Sequence, residues 1–415
     1  MERRPKLAEL ATSRLGRFAS LARAGLGTAS SMAFGSAGGI ESAVERLGEL
    51  RGIGTKVGQM AGLVESTLTP EMRERIGPAL ARLRAEAACS PYEAVAAIVR
   101  EDFGKPPEEL FATFETTPFA SASLGQVHRA THHDGRPLAV KIQHPGIDTA
   151  FRGDLANISA FGRVATSFVM PDDQGPKFIA AVTDGFLAEL DYVREAENLR
   201  LFAGLVARDP SLETPTVADD VSSKRVLSTT FLRGVPVEAA RAWDDATRLA
   251  IATSIRRFVL SSLADHGVLY ADAHAGNFLL RDDGTVGVLD FGSTFRFEEA
   301  TRLGFAELRD AAATNDRARF GRTIARTYGI GEPRVAEAIA EVQWLGLGGL
   351  VRGDKIDPDH VRSIAGRAAE LKKKLFGAKF SLPPFLPFFV RTLVATNALM
   401  ASLDAPKGAV VDALP

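Results

Sequence analysis

The sequence predicts an α+β fold of two lobes, one strand-rich and one mostly helical, preceded by a helical extension. Three observations carry this reading: helical spacing up to about residue 100, a turn-linked pair of alternating segments between residues 126 and 143, and a return to helical spacing from residue 301. The 415 residues accommodate two or three domains of about 150 residues. Their boundaries read as 1–105 for the extension, 106–235 for the strand-rich lobe and 236–415 for the helical lobe.

In the extension, apolar residues recur at helical spacing at Leu7, Leu10 and Leu15, at Val44, Leu47 and Leu50, and at Leu80 and Leu83. Glycines at positions 25, 27, 35, 38 and 39, and again at 52, 54 and 58, predict breaks between helices, and Pro106-Pro107 closes the segment. Gln126 to Ala130 and Leu138 to Gln143 alternate as strands, with His133-Asp134-Gly135 between them as the turn of a hairpin. Ala180 to Leu205 reads as a helix bearing several carboxylates, and the β-branched run from Lys224 to Leu232 as a strand. A long helix follows from Trp243 to Asp265, then short strands at Phe278 to Leu280 and Val286 to Leu289 joined by Asp282-Asp283-Gly284. From Thr301 the pattern is helical, broken by the Pro-rich segment Leu382 to Pro387.

Fifty Lys and Arg against 51 Asp and Glu leave a formal charge of -1, which supplies no net pull toward nucleic acid, and nucleic acid is excluded as a partner. The single cysteine, Cys89, excludes an internal disulfide and fits a reducing compartment; it reads as a small buried residue. Arg14, Arg17 and Arg23 interrupt any signal-peptide core, and Pro383, Pro384, Pro387 and Arg391 make Phe380 to Met400 a poor spanning helix. The expectation is therefore a cytoplasmic protein with no transmembrane segment. The small-residue stretch Leu15 to Phe34 suits a bilayer surface or a second copy of the chain as well as it suits a loosely ordered leader. His128, His132, His133 and His144 alternate across the hairpin and its turn, so solvated histidines are expected there rather than a metal site.

The chemistry is carried by three separated stretches. Strand alternation in Leu138-Ala139-Val140-Lys141-Ile142 puts an ammonium on the face opposite Leu138, Val140 and Ile142. In Tyr270-Ala271-Asp272-Ala273-His274-Ala275-Gly276-Asn277 a carboxylate precedes an amide by five positions, and Asp290-Phe291-Gly292 follows after the strand pair. Phosphoryl transfer from a nucleotide needs these groups: a Lys for the phosphates, hard oxygen ligands for Mg²⁺, and a carboxylate that orients the acceptor. Their order matches the protein-kinase signature set and makes the expected fold protein-kinase-like. The Gly-rich nucleotide loop is replaced by Ala120-Ser121-Ala122-Ser123-Leu124-Gly125, which keeps backbone N–H groups and hydroxyls for phosphates but narrows the backbone freedom. Val127 and Ala139 suit either plain core or one side of a base pocket. Of the carboxylates Glu189, Asp191, Glu195 and Glu197, spacing alone does not say which braces the Lys.

With these motifs the sequence resembles the UbiB/ABC1/COQ8 family of atypical, protein-kinase-like proteins, over about Ser13 to Glu298. Lys56-Val57-Gly58-Gln59 resembles the family's K-x-G-Q motif, Ala120 to Ser123 its alanine-rich loop, and Glu189-Leu190-Asp191 its E-x-D motif. The resemblance places Glu195 as the partner of Lys141, and implies Asn277 and Asp290 as Mg²⁺ ligands, Asp272 as the acceptor-orienting carboxylate, and Ala120, Ser121, Ala122, Ser123, Val127, Ala139 and Lys141 around ATP. It further implies a K-x-G-Q helix folded over the cleft, with Lys56, Gly58 and Gln59 in functional positions, and ATP hydrolysis in preference to protein phosphorylation. Isoprenoid lipid or enzymes of quinone (ubiquinone) biosynthesis are the implied partners, with peripheral membrane contact and a homodimer left open. Tyr270, Ala275, Ser121 and the Thr229-Thr230 pair depart from the family pattern, and none of them is a metal ligand. Two other readings remain: a nucleotide-gated lipid- or enzyme-binding module with negligible turnover, and a small-molecule kinase of the aminoglycoside or choline type.

Overall fold

The computed structural model describes residues 89–122, 124–153, 155, 174–374 and 381–410. The expected extension up to residue 88, with Lys56, Gly58 and Gln59, and the loop residue Ser123 lie outside the described residues. Described residues up to 145 and from 174 onward belong to one compact unit; residues 146–153 and 155 belong to another, in which 147–153 are helical and Arg152 pairs with Asp148 one turn earlier at 2.8 Å.

The strand-rich lobe opens with helix α1 (Tyr92–Phe103), whose glycine cap, Gly104, takes a left-handed φ of 72° and returns its N–H to Arg100. A short helix α2 (Pro107–Leu110) leads into strand β1 (Thr113–Phe114), then β2 (Ala120–Ser121), β3 (Gly125–Thr131) and β4 (Pro137–Gln143). The β3–β4 hairpin turns at Gly135, whose φ of 90° is open to glycine without a Cβ penalty. With β6 (Val226–Thr230) these strands form an antiparallel sheet in the order β1-β3-β4-β6, with β2 paired to β3. The period of two divides the sheet into two faces. Ala130, Leu138, Val140, Ile142 and Val226 pack on Val95, Ile98 and Val99 of α1 and on Phe111. Val127, Ala139 and Lys141 lie on the other face, toward the helical lobe's loops, by the register Val127↔Lys141 and Arg129↔Ala139.

The carboxylate-bearing segment expected as one helix from Ala180 to Leu205 is two. Helix α3 (Gln174–Leu187) runs into a 3₁₀ turn at Ala188–Leu190, and α4 (Tyr192–Val206) starts afresh. The break falls at Asp191, whose extended backbone and side chain cap α4 by accepting the Val193 N–H at 3.1 Å. Helical spacing alone did not register that an Asp can end one helix by starting another.

In the helical lobe come β5 (Leu212–Glu213), α5 (Val237–Ala240), α6 (Asp245–Ala264), β7 (Val268–Tyr270), β8 (Phe278–Leu280), β9 (Val286–Val288) and β10 (Thr294–Arg296), followed by helices α7 (Glu299–Ala313), α8 (Arg317–Thr327), α9 (Pro333–Val351), α10 (Pro358–Lys374) and α11 (Leu386–Leu403). Asp244 caps α6 by accepting the Thr247 N–H at 2.9 Å. The β8–β9 hairpin turns at Gly284, φ 87°. Phe202 of α4, Phe258 of α6, Tyr270 and Phe291 meet with ring centroids 5.1–5.7 Å apart, so one aromatic cluster joins two helices to both chemistry-bearing loops.

Two sequence expectations need correction. Cys89 is exposed. His128 is fully buried: its ring accepts or donates at Gln126 Nε2 (3.0 Å) and the Glu115 carbonyl (2.7 Å), and stacks on Phe114. Strand alternation, which turns His128 to the α1 face, outweighs its polarity. Among the described residues, α11 is long and apolar enough to cross a bilayer, with mean hydropathy 1.4, and 61% of that span is buried within the protein. The helix starts at the end of the Pro-rich break, and Pro387 occupies its first turn, where the absent N–H leaves no bond unmade.

Candidate active site

Lys141 projects from β4 into a carboxylate pair. Its Nζ donates to Glu195 Oε1 and Oε2 at 2.8 and 2.9 Å and to Asp290 Oδ2 at 2.9 Å, and it lies 5.0 Å above the Tyr192 ring. The four carboxylates that spacing left equivalent take separate places: Glu189 is buried in the 3₁₀ turn, Asp191 caps α4, Glu195 points inward one turn later, and Glu197 is exposed. Burial alone would discharge Lys141, but Asp290 and Glu195 outweigh it and hold the ammonium well above its ordinary range. Glu195 is pushed up to about 7, by burial first and then by the Asp290 charge, against the pull of Lys141. Both shifts have one origin: a single buried ammonium faces two carboxylates, so ionising the second carboxylate leaves an excess negative charge. We take the charged Lys141 as the firm member of the cluster.

The second stretch leaves β7 at Tyr270. Asn277 Nδ2 donates to the Asp272 carbonyl at 2.9 Å, and the His274 ring accepts the Gly276 N–H at 3.0 Å, which folds the loop into a 3₁₀ turn at Ala275–Asn277. The Asp272 carboxylate lies between the Arg391 guanidinium and the His274 ring, with Oδ1 3.5 Å from Arg391 Nη2 and Oδ2 3.7 Å from His274 Nε2. The third stretch is set beside the second by strand register. Phe278 pairs with Val288, and the Leu289 N–H donates to the Asn277 carbonyl at 3.0 Å, so Asn277 and Asp290 leave one hairpin as neighbours. Asp290 Oδ1 accepts the Gly292 N–H at 3.0 Å, Asn198 of α4 holds the Phe291 carbonyl, and the Phe291 ring is buried in the aromatic cluster. Tyr270 is buried there too, and burial, followed by the nearby Asp290 and Asp272 charges, raises its phenol well above the ordinary range.

These donors suit Mg²⁺. The Asn277 amide spends its nitrogen on the Asp272 carbonyl, which leaves an oxygen, and Asp290 adds a carboxylate: two hard oxygen ligands. Among the described residues no group of three or more His, Cys, Asp or Glu side chains could hold a metal by itself.

Above the Lys, Ala120 and Ser121 pair with Val127 and Gln126, and the Ala122 N–H closes the turn onto the Gly125 carbonyl at 2.8 Å. A Cβ on Gly125 would collide with the Ile142 carbonyl, so the hairpin's close approach requires glycine there. Val127 and Ala139 are half-buried on the same face as Lys141.

Sequence reasoning passed over two features. Arg129 lies between the rings of Phe119 and Phe231, 5.2 Å from each centroid, beside Ala139 at the outer edge of this face. Arg391 of α11 donates through Nε and Nη2 to the Ala271 carbonyl at 3.0 and 2.7 Å and through Nη2 to Ser293 Oγ at 3.0 Å. Its signal was present as a lone charge in an apolar stretch, but only the fold shows what the charge meets.

The family model for the ABC1 atypical kinase-like domain matches residues 82–323. AarF domain-containing protein kinase 1 of Xenopus laevis is 27% identical over 369 residues, covering 86% of this chain and 69% of that protein. Atypical kinase COQ8B, mitochondrial, of Danio rerio is 30% identical over 280 residues, covering 67% of this chain but only 44% of that longer protein. A Mycobacterium tuberculosis protein, solved in complex with erythromycin, superimposes with a TM-score of 0.56 at 27% identity, covering 84% of this chain and 88% of its own. The fold is kinase-like, and Lys141, Asp272 and Asp290 all fall within the matched residues. The chain therefore belongs to the ABC1 atypical kinase-like domain family.

Proposed function

We propose that this protein is an Mg²⁺-dependent ATP-binding atypical kinase that hydrolyses ATP or transfers its terminal phosphoryl group, and that it supports isoprenoid quinone biosynthesis. The observation that carries the reading is the junction of Lys141 with Glu195 and Asp290, which joins a strand, a helix and a loop far apart in sequence at one charge cluster. In this reading Lys141 holds phosphate oxygens, and Glu195 keeps the ammonium pointed into the cleft. Asn277 and Asp290 hold Mg²⁺, which when bound offsets phosphate charge. Asp272 orients the attacking hydroxyl or water and accepts its proton. Ala120, Ser121, Ala122 and Ser123 cover the phosphates, and Val127 and Ala139 sandwich the base. We assign residues 106–235 and 236–415 as the two lobes of the cleft, and give Lys56, Gly58 and Gln59 in 1–105 a functional role on the K-x-G-Q resemblance alone. Glu189 and Asp191 support the Glu195 helix from its N-terminal end. Isoprenoid lipid, quinone-pathway enzymes and a membrane surface are the partners we assign.

Asp290→Asn replaces a charged ligand by a neutral one. Saturating Mg·ATP at about 100 times its Kd stabilises a folded protein by about 2.7 kcal/mol, so the wild-type melting temperature should rise by several degrees and that of Asp290→Asn should not. An equal rise in both proteins contradicts the assignment. Steady-state ATP hydrolysis with and without phospholipid then separates an enzyme from a nucleotide-gated module: turnover that Asp272→Asn removes supports the enzyme.

A further inference from the structure

We propose that Arg391 is a positioning residue for Asp272: the last long helix reaches back to fix the carboxylate that orients the acceptor. This rests on the reading of Asp272 given above and adds a residue beyond the family-matched segment, which ends at 323.

The geometry is specific. The guanidinium is planar, and it spends two donors on one atom, the carbonyl of Ala271 immediately before Asp272, at 3.0 and 2.7 Å. The same Nη2 reaches Ser293 Oγ at 3.0 Å and stands 3.5 Å from Asp272 Oδ1. Ser293 directly follows the Asp290-Phe291-Gly292 segment, and its carbonyl accepts the Ala271 N–H at 2.9 Å. One side chain thus ties the backbone before the acceptor-orienting carboxylate, that carboxylate, and the end of the metal-ligand segment into a single group. Arg391 and Asp272 side chains are each only 13% exposed, so solvent does little to dilute the attraction. The His274 ring faces the other carboxylate oxygen, with Nε2 3.7 Å from Asp272 Oδ2.

The anchor of Arg391 is itself rigid. The Thr392 hydroxyl shares its proton between the Phe388 carbonyl of its own helix at 2.9 Å and the Tyr270 carbonyl at 3.3 Å, and Phe388, one turn earlier, packs on Phe295 with centroids 4.4 Å apart. Helix α11 is therefore clamped to β7 and β10 on both sides of Arg391. An otherwise apolar helix keeps one charged side chain at the point where it meets the catalytic loop, and that charge acts on Asp272.

Positioning of this kind predicts loss of turnover without loss of nucleotide. In the full chain, Arg391→Met should lower kcat for ATP hydrolysis at least 10-fold while KM for ATP and the Mg·ATP-induced melting rise stay within twofold of wild type. Arg391→Lys, which keeps the charge and loses the fork, should recover part of kcat. Unchanged kcat in Arg391→Met overturns the proposal. So does a parallel loss of ATP binding and turnover in both variants, which marks a residue needed only for folding. If Arg391→Met does not fold, Arg391→Lys with reduced kcat and unaltered KM supports the proposal, and Arg391→Lys with wild-type kcat overturns it. Absence of turnover in the wild type itself removes the enzymatic reading and this assignment together, whereas wild-type turnover with an indifferent Arg391→Met counts against Arg391 alone.

Discussion

Gly125 and His128, three residues apart on β3, show how much one position can weigh. At Gly125 any side chain meets the Ile142 carbonyl of the neighbouring strand, and backbone cannot step aside as a side-chain tip can. Gly125→Ala should therefore destabilise by about 1–3 kcal/mol, read as a lower urea midpoint, and should weaken ATP binding because the same turn shapes the phosphate loop. A midpoint equal to wild type would contradict the close approach. His128 carries a different prediction. Burial lowers its pKa below the ordinary 6.5, with the Glu115 carbonyl opposing, so the folded protein disfavours the charged ring. Its contribution is full above pH 6.5 and is lost progressively as pH falls from there toward the lowered folded value, because the unfolded chain takes up the proton first. In His128→Gln the fall in stability between pH 7 and 5 should be shallower than in wild type, and an unchanged slope would show that His128 titrates normally. Lys141, Asp272, Asn277 and Asp290 were singled out by short motifs, and the structure brings Lys141 to Asp290 and Asn277 to the Asp272 carbonyl. His128 and Cys89 were misread because exposure depends on tertiary packing, which local sequence does not show.

Elements were legible where a local signal fixes them. The β3–β4 hairpin announces itself through alternation and a glycine turn, and β6, α6 and the β8–β9 pair follow the sequence expectation to within a few residues. The break between α3 and α4 was not legible, because Leu187 to Val193 keeps helical spacing while Asp191 turns its backbone out and caps the next helix. That cap has a consequence for chemistry. Glu195 lies four residues after it, and the Glu195 N–H bonds to the Asp191 carbonyl. Asp191→Ala should cost about 1 kcal/mol of stability and loosen the Glu195 brace on Lys141, seen as weaker ATP binding in the same preparation. Full retention of both would mean that the cap is dispensable. Helix α11 starts at the end of the Pro-rich break expected from Leu382 to Pro387, since proline in the first turn of a helix leaves no bond unmade. Arg391, taken from composition as an interruption, is instead the point at which α11 engages the catalytic loop.

For the whole molecule, a strand, a helix and a loop bring the Lys141 amine to the carboxylates of Glu195 and Asp290, the latter 149 residues away. The order of the motifs signalled this convergence, but not the means: the aromatic cluster of Phe202, Phe258, Tyr270 and Phe291, which locks α4 and α6 to both loops. Tyr270, at the start of the catalytic loop, serves here as core. Packing partners of this kind are set by tertiary contact and leave no periodic trace. The central claim is that Lys141, Asn277 and Asp290 together make an Mg·ATP site. Isothermal titration calorimetry of the wild-type protein with ATP, in Mg²⁺ and again in excess chelator, tests it most directly. The account predicts one saturable site in Mg²⁺ that is weakened at least tenfold by chelator and abolished in Lys141→Met; binding of equal strength under both conditions, or unaffected by Lys141→Met, would contradict it.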